Sequence, residues 1–526
     1  MELWDKTIIQ VLKETVAAKQ GSTAYHFDNK DYTWDDVDLL SDAAAMRLYR
    51  RGIRKGTFVG LWGVNTIAWV IYYYAIQKLG AVSVLLNYSF KAMEMGQLIN
   101  SNDVEFLLIG EGKPGSDFEK IFNLMQPKLN TVRDAWYIER EFDTLKDEPV
   151  NDENRSMLFE IRNSINSKDS STIIFTSGTT AMAKGVLLSH YGIVNDARAV
   201  GHGMHWTGDE IMLIAMPMFH CSGLTCALII CLCLRMESVI IRHFSTIPVM
   251  EAIQKYKCSI FNAVPSMLLI LKESPNLKDY DLSSFKSGTM GGSKISYDEF
   301  KSVCDTFKLT NYLSVYGQTE CSPIICMGVY GDPIERTLET IGKPLENVEM
   351  RIWLNDKNCE APVGVKGEIQ TKTFSVMNGY YNRPEYNGKK FTEDGWLKTN
   401  DIGYIDEDGY YHFECRADDL IIRAGENISP SEIEDCIHHL SPSISFVRAV
   451  GVPAPIVQEE IVVFFEAIKK IDPDEVKRYV KTYLANFKVP KYVFQLDEMP
   501  MTTSGKIDDK RLRQMAKEMV SELQIQ

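Results

Sequence analysis

Short apolar runs alternate with longer amphipathic stretches through roughly the first 400 residues of the chain. The run TFVGLWG is followed by TIAWVIYYYAIQKLG and then by AVSVLL, and the run ESVIIRHF is followed by TIPVMEAIQKYK and then by CSIFNAV. Strand-length runs that flank helix-length runs are typical of βαβ units in a largely parallel sheet. The pattern therefore predicts an α/β protein whose large N-terminal domain contains mostly parallel sheets.

The composition of the sequence changes near Asp394. The segment EDGWLKTNDIGYIDEDGYYHFECRADDLIIRAGENI is dense in glycine, aspartate and aromatic residues, as short hairpins are. Beyond it, SPSEIEDCIHHL predicts a helix that begins at Ser429 or Ser431, and DPDEVKRYVKTYLANF predicts a helix opened by Asp472 and Pro473. We therefore expect an N-terminal domain of residues 1–415 and a small α+β domain of residues 416–526.

Length and composition agree with this division. A chain of 526 residues exceeds what one hydrophobic core supports, and 45% hydrophobic with 24% charged residues is ordinary for a globular protein. The net charge of −14 argues against a nucleic-acid partner, because phosphate neutralisation needs a basic surface.

The cysteines and the first residues of the chain indicate the cellular compartment of the protein. The 11 cysteines form no CxxC pair, which fits a reducing compartment better than a disulfide framework. The first twenty residues lack the apolar core of a signal peptide, and the longest apolar run, residues 224–234, is too short to span a bilayer. We therefore expect a cytoplasmic protein without a transmembrane segment.

A polar loop between two apolar runs is the first candidate for a functional site. Residues 173–185 read IIFTSGTTAMAKG, in which hydroxyl and glycine residues precede Lys184. Glycines allow backbone N–H groups to turn toward an anion, hydroxyls donate further hydrogen bonds, and the lysine adds charge, which together predict a phosphate cradle. The GxxxxGK[ST] ending of a Walker A loop is missing, and a strand rather than a helix is expected to follow. A solvated turn is the alternative.

Four further segments carry polar groups, and three of these groups have a plain alternative explanation. SVYGQTEC holds an aromatic ring, a glycine, a threonine and a carboxylate, and KTNDIGYID places Asp401 in a predicted turn. ECRADDLIIRAGENISPSEIE contains Arg416, and TTSGKIDDKRL presents Lys506. Taken singly, Asp401, Arg416 and Lys506 are explained as a turn residue, a surface ion pair and an exposed loop lysine.

In this order and spacing, the motifs resemble those of the adenylate-forming enzymes, which include acyl-CoA ligases, adenylation domains of peptide synthetases and firefly-type luciferases. The resemblance covers nearly the whole chain. It implies a large domain that binds ATP and the acid, and a small, mobile C-terminal domain that swings about a hinge near Asp418.

The resemblance also implies site residues. The β- and γ-phosphates of ATP would be held by Thr176, Ser177, Gly178, Thr179, Thr180 and Lys184. The rest of the nucleotide would contact Tyr316, Gly292 and Ser293 at the adenine, Thr319 at the α-phosphate, and Asp401 and Arg416 at the ribose. Lys506 would bridge the substrate carboxylate and the α-phosphate, and Mg²⁺ would be held by Glu320 with Thr179. The pantetheine thiol of coenzyme A would lie beside Gly425. The acid would lie against His220, Gly291 and Gly292, with Cys221, Ser222, Gly223 and Thr289 as neighbours.

The sequence departs from the family pattern at four positions. Ala181 and Ala183 replace the usual glycine and proline of the phosphate loop, and Asn400 and Cys415 stand where glycine usually precedes the ribose aspartate and the arginine. None of these changes removes a chemical group, so we expect activity to survive.

The segment RAGENISPSEIE indicates the branch of the family. It resembles acyl-CoA ligases, whereas amino-acid adenylation domains usually carry a G-x-R-I-E variant. We therefore expect an ATP-dependent acid–thiol ligase that uses ATP, Mg²⁺ and coenzyme A, most similar to medium-chain and carnitine-type ligases. A small, uncharged pocket suits an aliphatic or small aromatic monocarboxylate. The alternatives are a free-standing ligase that loads a carrier protein and a nucleotide-binding protein without turnover.

Overall fold

The computed structural model describes residues 1–176, 183–292, 295–423, 426–454, 457–502 and 506–525. The chain divides into two compact units, the first of Met1–Glu349 with Thr371–Leu397 and the second of Met350–Gln370 with Lys398–Gln526. The boundary predicted at residue 416 lies inside the second unit, and the place of a hinge stays a prediction.

The described strands are numbered in chain order. They are β1 (Thr23–Phe27), β2 (Lys30–Thr33), β3 (Phe58–Trp62), β4 (Val82–Leu86), β5 (Phe106–Ile109), β6 (Asp134–Tyr137), β7 (Ser170–Thr176), β8 (Lys184–Ser189), β9 (Ile211–Ile214), β10 (Glu237–Ile240), β11 (Ile260–Phe261), β12 (Ser287–Gly291), β13 (Asn311–Gly317), β14 (Ile324–Met327), β15 (Lys343–Pro344), β16 (Val348–Leu354), β17 (Cys359–Glu360), β18 (Gly367–Thr373), β19 (Gly379–Tyr380), β20 (Leu397–Ile405), β21 (Tyr411–Arg416), β22 (Ile421–Arg423), β23 (Glu426–Ile428), β24 (Ile444–Ala454), β25 (Gln458–Ala467) and β26 (Tyr492–Leu496).

The described α-helices follow the same order. They are α1 (Ile8–Ala18), α2 (Trp34–Arg50), α3 (Ile67–Lys78), α4 (Ala92–Ser101), α5 (Phe118–Met125), α6 (Ile138–Phe142), α7 (Asp152–Asn163), α8 (His190–Gly203), α9 (Cys221–Gly223), α10 (Ile230–Leu234), α11 (Thr246–Tyr256), α12 (Pro265–Lys272), α13 (Tyr297–Phe307), α14 (Ile334–Glu339), α15 (Pro384–Lys390), α16 (Pro430–His438), α17 (Pro473–Tyr483) and α18 (Asp509–Ile525). Leu224–Ile229 forms a π-helix, and the short 3₁₀ turns include Thr319–Cys321 and Ala417–Asp419.

Two mostly parallel sheets form the first unit, as predicted. One has the strand order β15-β14-β13-β12-β11-β9-β10-β1-β2, and the other has the order β19-β8-β7-β4-β3-β5-β6. Strand β3 pairs in parallel with β4, and α3 connects them. Every residue of α3 is buried, which explains why its sequence is apolar on all sides. The side chain of Thr66 caps this helix by accepting a hydrogen bond from the backbone N–H of Trp69.

The second predicted βαβ unit contains an additional strand. Strands β10 and β11 are joined through α11, but β9 lies between them and pairs in parallel with both. The buried side chains beneath this sheet come from its strands and from helices α11, α12 and α13. Burial on both sides accounts for the continuous apolar runs that marked these strands in the sequence.

The second unit holds two further sheets, with the strand orders β17-β16-β18-β20-β21 and β23-β22-β25-β24, the latter extended by β26. Helix α17 begins as predicted, because the Asp472 side chain accepts a hydrogen bond from the backbone N–H of Asp474. Ser429 is the N-cap residue of α16. The prediction of an α/β chain with a smaller α+β C-terminal part is confirmed.

One local prediction was wrong. Asp401 lies inside β20 rather than in a turn, and it pairs directly with Arg416 on β21. The polar run Thr399–Asn400–Asp401 has the composition of a turn, and the backbone of Asn400 also adopts a left-handed conformation, with φ of 67°. The strand nevertheless continues past Asn400, since Asp401 and the residues after it pair with β21. The Thr399 hydroxyl donates to the Ile369 carbonyl and accepts from the Asp401 N–H.

Candidate active site

Strands β7 and β8 are antiparallel neighbours and flank the predicted phosphate loop. Thr176, the last residue of β7, pairs with Lys184, the first residue of β8. The expected pair of strands on either side of the polar segment is therefore present. Four predicted phosphate ligands, Ser177, Gly178, Thr179 and Thr180, lie outside the described residues.

Strand β13 leads directly into the predicted metal and α-phosphate residues. A Cβ on Gly317, the last residue of β13, would lie 1.8 Å from the Pro323 carbonyl oxygen, so only glycine allows this close approach. The short turn that follows carries Thr319 and Glu320, both buried. The Glu320 carboxylate accepts a hydrogen bond of 2.6 Å from the Tyr380 hydroxyl.

The predicted adenine residues Tyr316 and Gly292 and the predicted acid-pocket residue Gly291 lie at the ends of neighbouring strands. Tyr316 is buried near the end of β13, and Gly291, at the end of β12, pairs with Val315 beside it. Gly292 has φ of +91°, in the region that favours glycine. Ser293 lies outside the described residues. The β12 and β13 ends thus bring Tyr316, Gly291 and Gly292 into one region of the sheet.

The predicted acyl-pocket segment reaches the same region. His220 precedes α9, where its Nδ1 atom lies 2.9 Å from the Ser222 hydroxyl and accepts from the Ser222 N–H. The thiol of Cys221 shares a hydrogen bond with the side chain of Thr319, and burial raises the pKa of this thiol. The residue that follows His220 therefore contacts the residue predicted to approach the α-phosphate.

Asn65 is a buried residue that the sequence did not single out. Its Nδ2 atom donates to the carbonyl oxygens of Met216 and Ile241, and its Oδ1 atom accepts from the Met218 N–H. The segment leading to His220 is thereby attached to the residues that follow β3. A lone asparagine among apolar residues gave no signal in the sequence, because its partners lie more than 150 residues away.

In the second unit, three predicted residues lie together. The Arg416 Nε atom is 3.8 Å from an Asp401 carboxylate oxygen. The pKa of Lys506 is lowered by burial and by the charge of Arg416. One carboxylate and two cations therefore share this region of the second unit. Gly425 and the side chain of Asp418 lie outside what is described, although the backbone of Asp418 forms part of the turn Ala417–Asp419.

Glu320 is the described residue that could help to hold Mg²⁺. Within the ranges that the structure describes, His, Cys, Asp and Glu residues form no group of three or more that could hold a metal by themselves. Mg²⁺ in nucleotide-dependent enzymes is commonly bound by one or two carboxylates together with substrate phosphates. The second carboxylate oxygen of Glu320, beside the one that accepts from Tyr380, fits such a shared site.

Comparison with known proteins identifies the family. The family model for AMP-binding enzymes matches residues 12–381, and the model for the C-terminal domain of AMP-binding enzymes matches residues 432–506. The chain belongs to the AMP-binding enzymes. The prediction of the adenylate-forming superfamily and its acyl-CoA ligase branch is confirmed, and with it the predicted activity of this branch, acyl-adenylate formation followed by thioester formation.

Individual relatives agree with this assignment. The chain is 32% identical to the putative acyl-CoA synthetase YngI of Bacillus subtilis (strain 168), with 98% of each chain covered. It is 27% identical to the mitochondrial medium-chain acyl-CoA ligase ACSF2 of Bos taurus, over 98% of this chain and 88% of the relative.

Among solved structures, the chain is similar to the o-succinylbenzoate CoA synthetase MenE of Bacillus subtilis in complex with the acyl-adenylate intermediate OSB-AMP. The TM-score is 0.81 at 25% identity, and 97% of this chain and 99% of that chain are covered. None of the helices in the described part of this AMP-binding enzyme is long and apolar enough to cross a membrane.

Proposed function

We propose that this AMP-binding enzyme joins a medium-chain or small aromatic carboxylic acid to coenzyme A, with ATP cleaved to AMP and pyrophosphate. The observation that carries the site assignment is the cluster of Asp401, Arg416 and Lys506 in the second unit. Its carboxylate suits the two donors of a ribose, and its cations suit the anions that must meet during adenylation.

The first half-reaction joins the acid to the nucleotide. A carboxylate oxygen of the acid forms a bond to the α-phosphorus, the bond from that phosphorus to the bridging oxygen breaks, and pyrophosphate leaves. Two anions approach each other in this step, so cations that converge on them stabilise the transition state. Lys506 would bridge the carboxylate and the α-phosphate, Thr319 would donate to the α-phosphate, and Lys184 would neutralise the β- and γ-phosphates.

Mg²⁺, when bound at Glu320 and the phosphates, would neutralise charge on the departing pyrophosphate. The role of Glu320 itself is to offer a carboxylate oxygen to the metal from a buried, fixed position. Thr179 is the further proposed ligand.

The second half-reaction transfers the acyl group. The thiol of coenzyme A loses its proton and attacks the acyl carbon, and AMP leaves from the same carbon. We place Gly425 beside the pantetheine arm and the hinge at Asp418. A carrier protein with a phosphopantetheine arm is the alternative acceptor, since it offers the same thiol.

The acid is proposed from the character of the predicted pocket. The residues predicted to lie around His220 are small and uncharged, namely Cys221, Ser222, Gly223, Thr289, Gly291 and Gly292. Such a lining offers no partner for an amino group and favours an apolar acyl chain. The name of the relative ACSF2 adds support for a medium-chain acid.

The test is AMP release from ATP with a panel of carboxylic acids, with coenzyme A or a phosphopantetheinylated carrier protein as acceptor. We expect release with coenzyme A and a medium-chain acid. Release only with the carrier would favour the alternative acceptor. A complete lack of acid-dependent exchange between pyrophosphate and ATP would refute the proposed turnover.

A further inference from the structure

We propose that Tyr380 is a positioning residue for adenylation, which holds one oxygen of the Glu320 carboxylate so that the other can face Mg²⁺. The proposal rests on the role of Glu320 in the proposed function. Tyr380 belongs to β19, which lies outside every motif that the sequence analysis singled out.

The contact between the two side chains is short and shielded from water. The Tyr380 hydroxyl donates to the Glu320 Oε1 atom at 2.6 Å, and the exposed fractions of the two residues are 5% and 7%. A hydrogen bond to an ionised acceptor is stronger than a neutral one, and more so where water is excluded.

The backbone of Tyr380 is itself held in place. Strand β19 pairs with β8, with Tyr380 opposite Val186, and the Tyr380 N–H donates to the Asn387 side chain at 2.7 Å. A Cβ at Gly379, where φ is +131°, would lie 3.1 Å from that same asparagine side chain. The hydroxyl therefore approaches Glu320 from a fixed strand.

Tyr380 also contacts a second predicted ATP-site residue. The Lys184 ammonium lies 5.1 Å from the centre of the Tyr380 ring and 4.3 Å from that of Tyr386. A cation over aromatic faces is attracted to them and loses freedom of movement. One tyrosine thus contacts the proposed metal ligand through its hydroxyl and the proposed phosphate ligand through its ring.

The chain offers a matched pair of variants. Tyr380→Phe keeps the ring and its contact with Lys184 but removes the hydroxyl. Tyr381→Phe is the control, because the Tyr381 hydroxyl also donates to a carboxylate, that of Asp103, at 2.9 Å, away from the proposed site. Both substitutions conserve volume, and thermal unfolding would verify that both variants are folded.

Calorimetric titration of ATP, with Mg²⁺ and with EDTA, gives a readout independent of turnover. In the wild type, Mg²⁺ should tighten ATP binding. Tyr380→Phe should reduce this Mg²⁺-dependent gain in ATP affinity by about tenfold or more, because a hydrogen bond to a charged group is lost. It should leave the affinity for ATP in EDTA unchanged. Tyr381→Phe should behave as the wild type. The Mg²⁺ concentration that half-activates pyrophosphate exchange should rise for Tyr380→Phe alone.

A double variant tests whether Tyr380 acts through Glu320. Glu320→Gln should by itself reduce the Mg²⁺-dependent gain in ATP affinity. Tyr380→Phe should add little in that background, because Tyr380 acts through the Glu320 carboxylate, which the first change already removes. Full additivity, or equal effects of the two tyrosine variants, would overturn the proposal, as would ATP binding that does not depend on Mg²⁺. Failure of every acid to support pyrophosphate exchange would instead count against the proposed function, and the calorimetric comparison would still decide the role of Tyr380.

Discussion

Replacement of Asn65 by alanine should separate binding of the acid from binding of ATP. The Asn65 amide donates to the Met216 carbonyl at 2.9 Å and to the Ile241 carbonyl at 3.1 Å, and it accepts from the Met218 N–H at 2.9 Å. The segment of Met216 and Met218 leads into His220, which is predicted to line the acyl pocket. The amide therefore fixes the approach of that segment to the site.

The magnitude follows from the three partners. Asn65 is only 2% exposed, so alanine would leave two carbonyl groups and one N–H buried without their hydrogen bonds. Each buried, unsatisfied group costs about 1–3 kcal/mol, and partial entry of water would place the total at roughly 3–5 kcal/mol of unfolding free energy. A segment displaced by about an ångström lowers catalytic efficiency by up to roughly a hundredfold, and we expect the loss to appear in kcat/KM for the acid.

Asn195 provides the control for this experiment. It is fully buried and its side chain also makes three hydrogen bonds of 3.0 Å or less, to the backbone of Trp4 and Tyr191. Asn195→Ala should lose comparable stability in urea unfolding but keep the wild-type KM for the acid. Asn65→Ala should raise the KM for the acid and leave the KM for ATP within about twofold. The reasoning is refuted if both variants change the acid KM equally, or if Asn65→Ala changes both KM values alike.

Four other predictions concern charge, motion and pH. Lys506→Ala should reduce acyl-adenylate formation by about a hundredfold or more and spare thioester formation from preformed acyl-adenylate, because its charge is needed where two anions meet. Asp401→Ala should mainly raise the KM for ATP, by leaving the ribose hydroxyls unpaired. Asp418→Pro should permit adenylation and slow transfer to coenzyme A, because proline fixes φ at the proposed hinge. His190→Gln should make the free energy of unfolding less sensitive to acid. Burial lowers the pKa of His190 to about 4, so as the pH falls the unfolded chain binds a proton before the folded protein does. The wild type should therefore lose about 2 kcal/mol of unfolding free energy from this residue between about pH 7 and 5.

Each of these four outcomes has a result that contradicts it. Equal losses in the two half-reactions would remove Lys506 from its bridging role, and an unchanged KM for ATP would mean that the ribose is held elsewhere than at Asp401. Equal slowing of both steps in Asp418→Pro would indicate a general loss of stability. If urea unfolding of the wild type and of His190→Gln shows the same change between about pH 7 and 5, the neutral, buried state of His190 is wrong.

The sequence predicted features that depend on local pattern. The β3–α3–β4 unit, the strands on both sides of the polar loop and the start of α17 at Asp472 follow from periodicity and capping, which act over a few residues. It did not predict contacts made across long separations. Tyr380 and Glu320 lie 60 residues apart, and a tyrosine in a short strand is an ordinary buried residue until its partner is known.

Asp401 shows why local polarity can mislead. Asparagine before aspartate is common in turns, but in this chain both residues lie inside β20, and Asp401 pairs with Arg416 of β21. Pairing with a neighbouring strand outweighed the local preference, and the sequence of the segment alone does not contain that partner.

The ribose side of the site also explains why two departures from the family pattern can be tolerated. Asn400 has φ of 67°, a conformation in which asparagine is enriched among residues other than glycine, so the replaced glycine costs the backbone little. Cys415 is buried in β21 opposite Ile402 and has no positive φ, so glycine is not required there by the backbone. Asp401 and Arg416 are direct partners in the β20–β21 ladder. The register of two strands, rather than the flanking glycines, therefore holds this carboxylate and this guanidinium side by side, and a chain without those glycines can keep the pair.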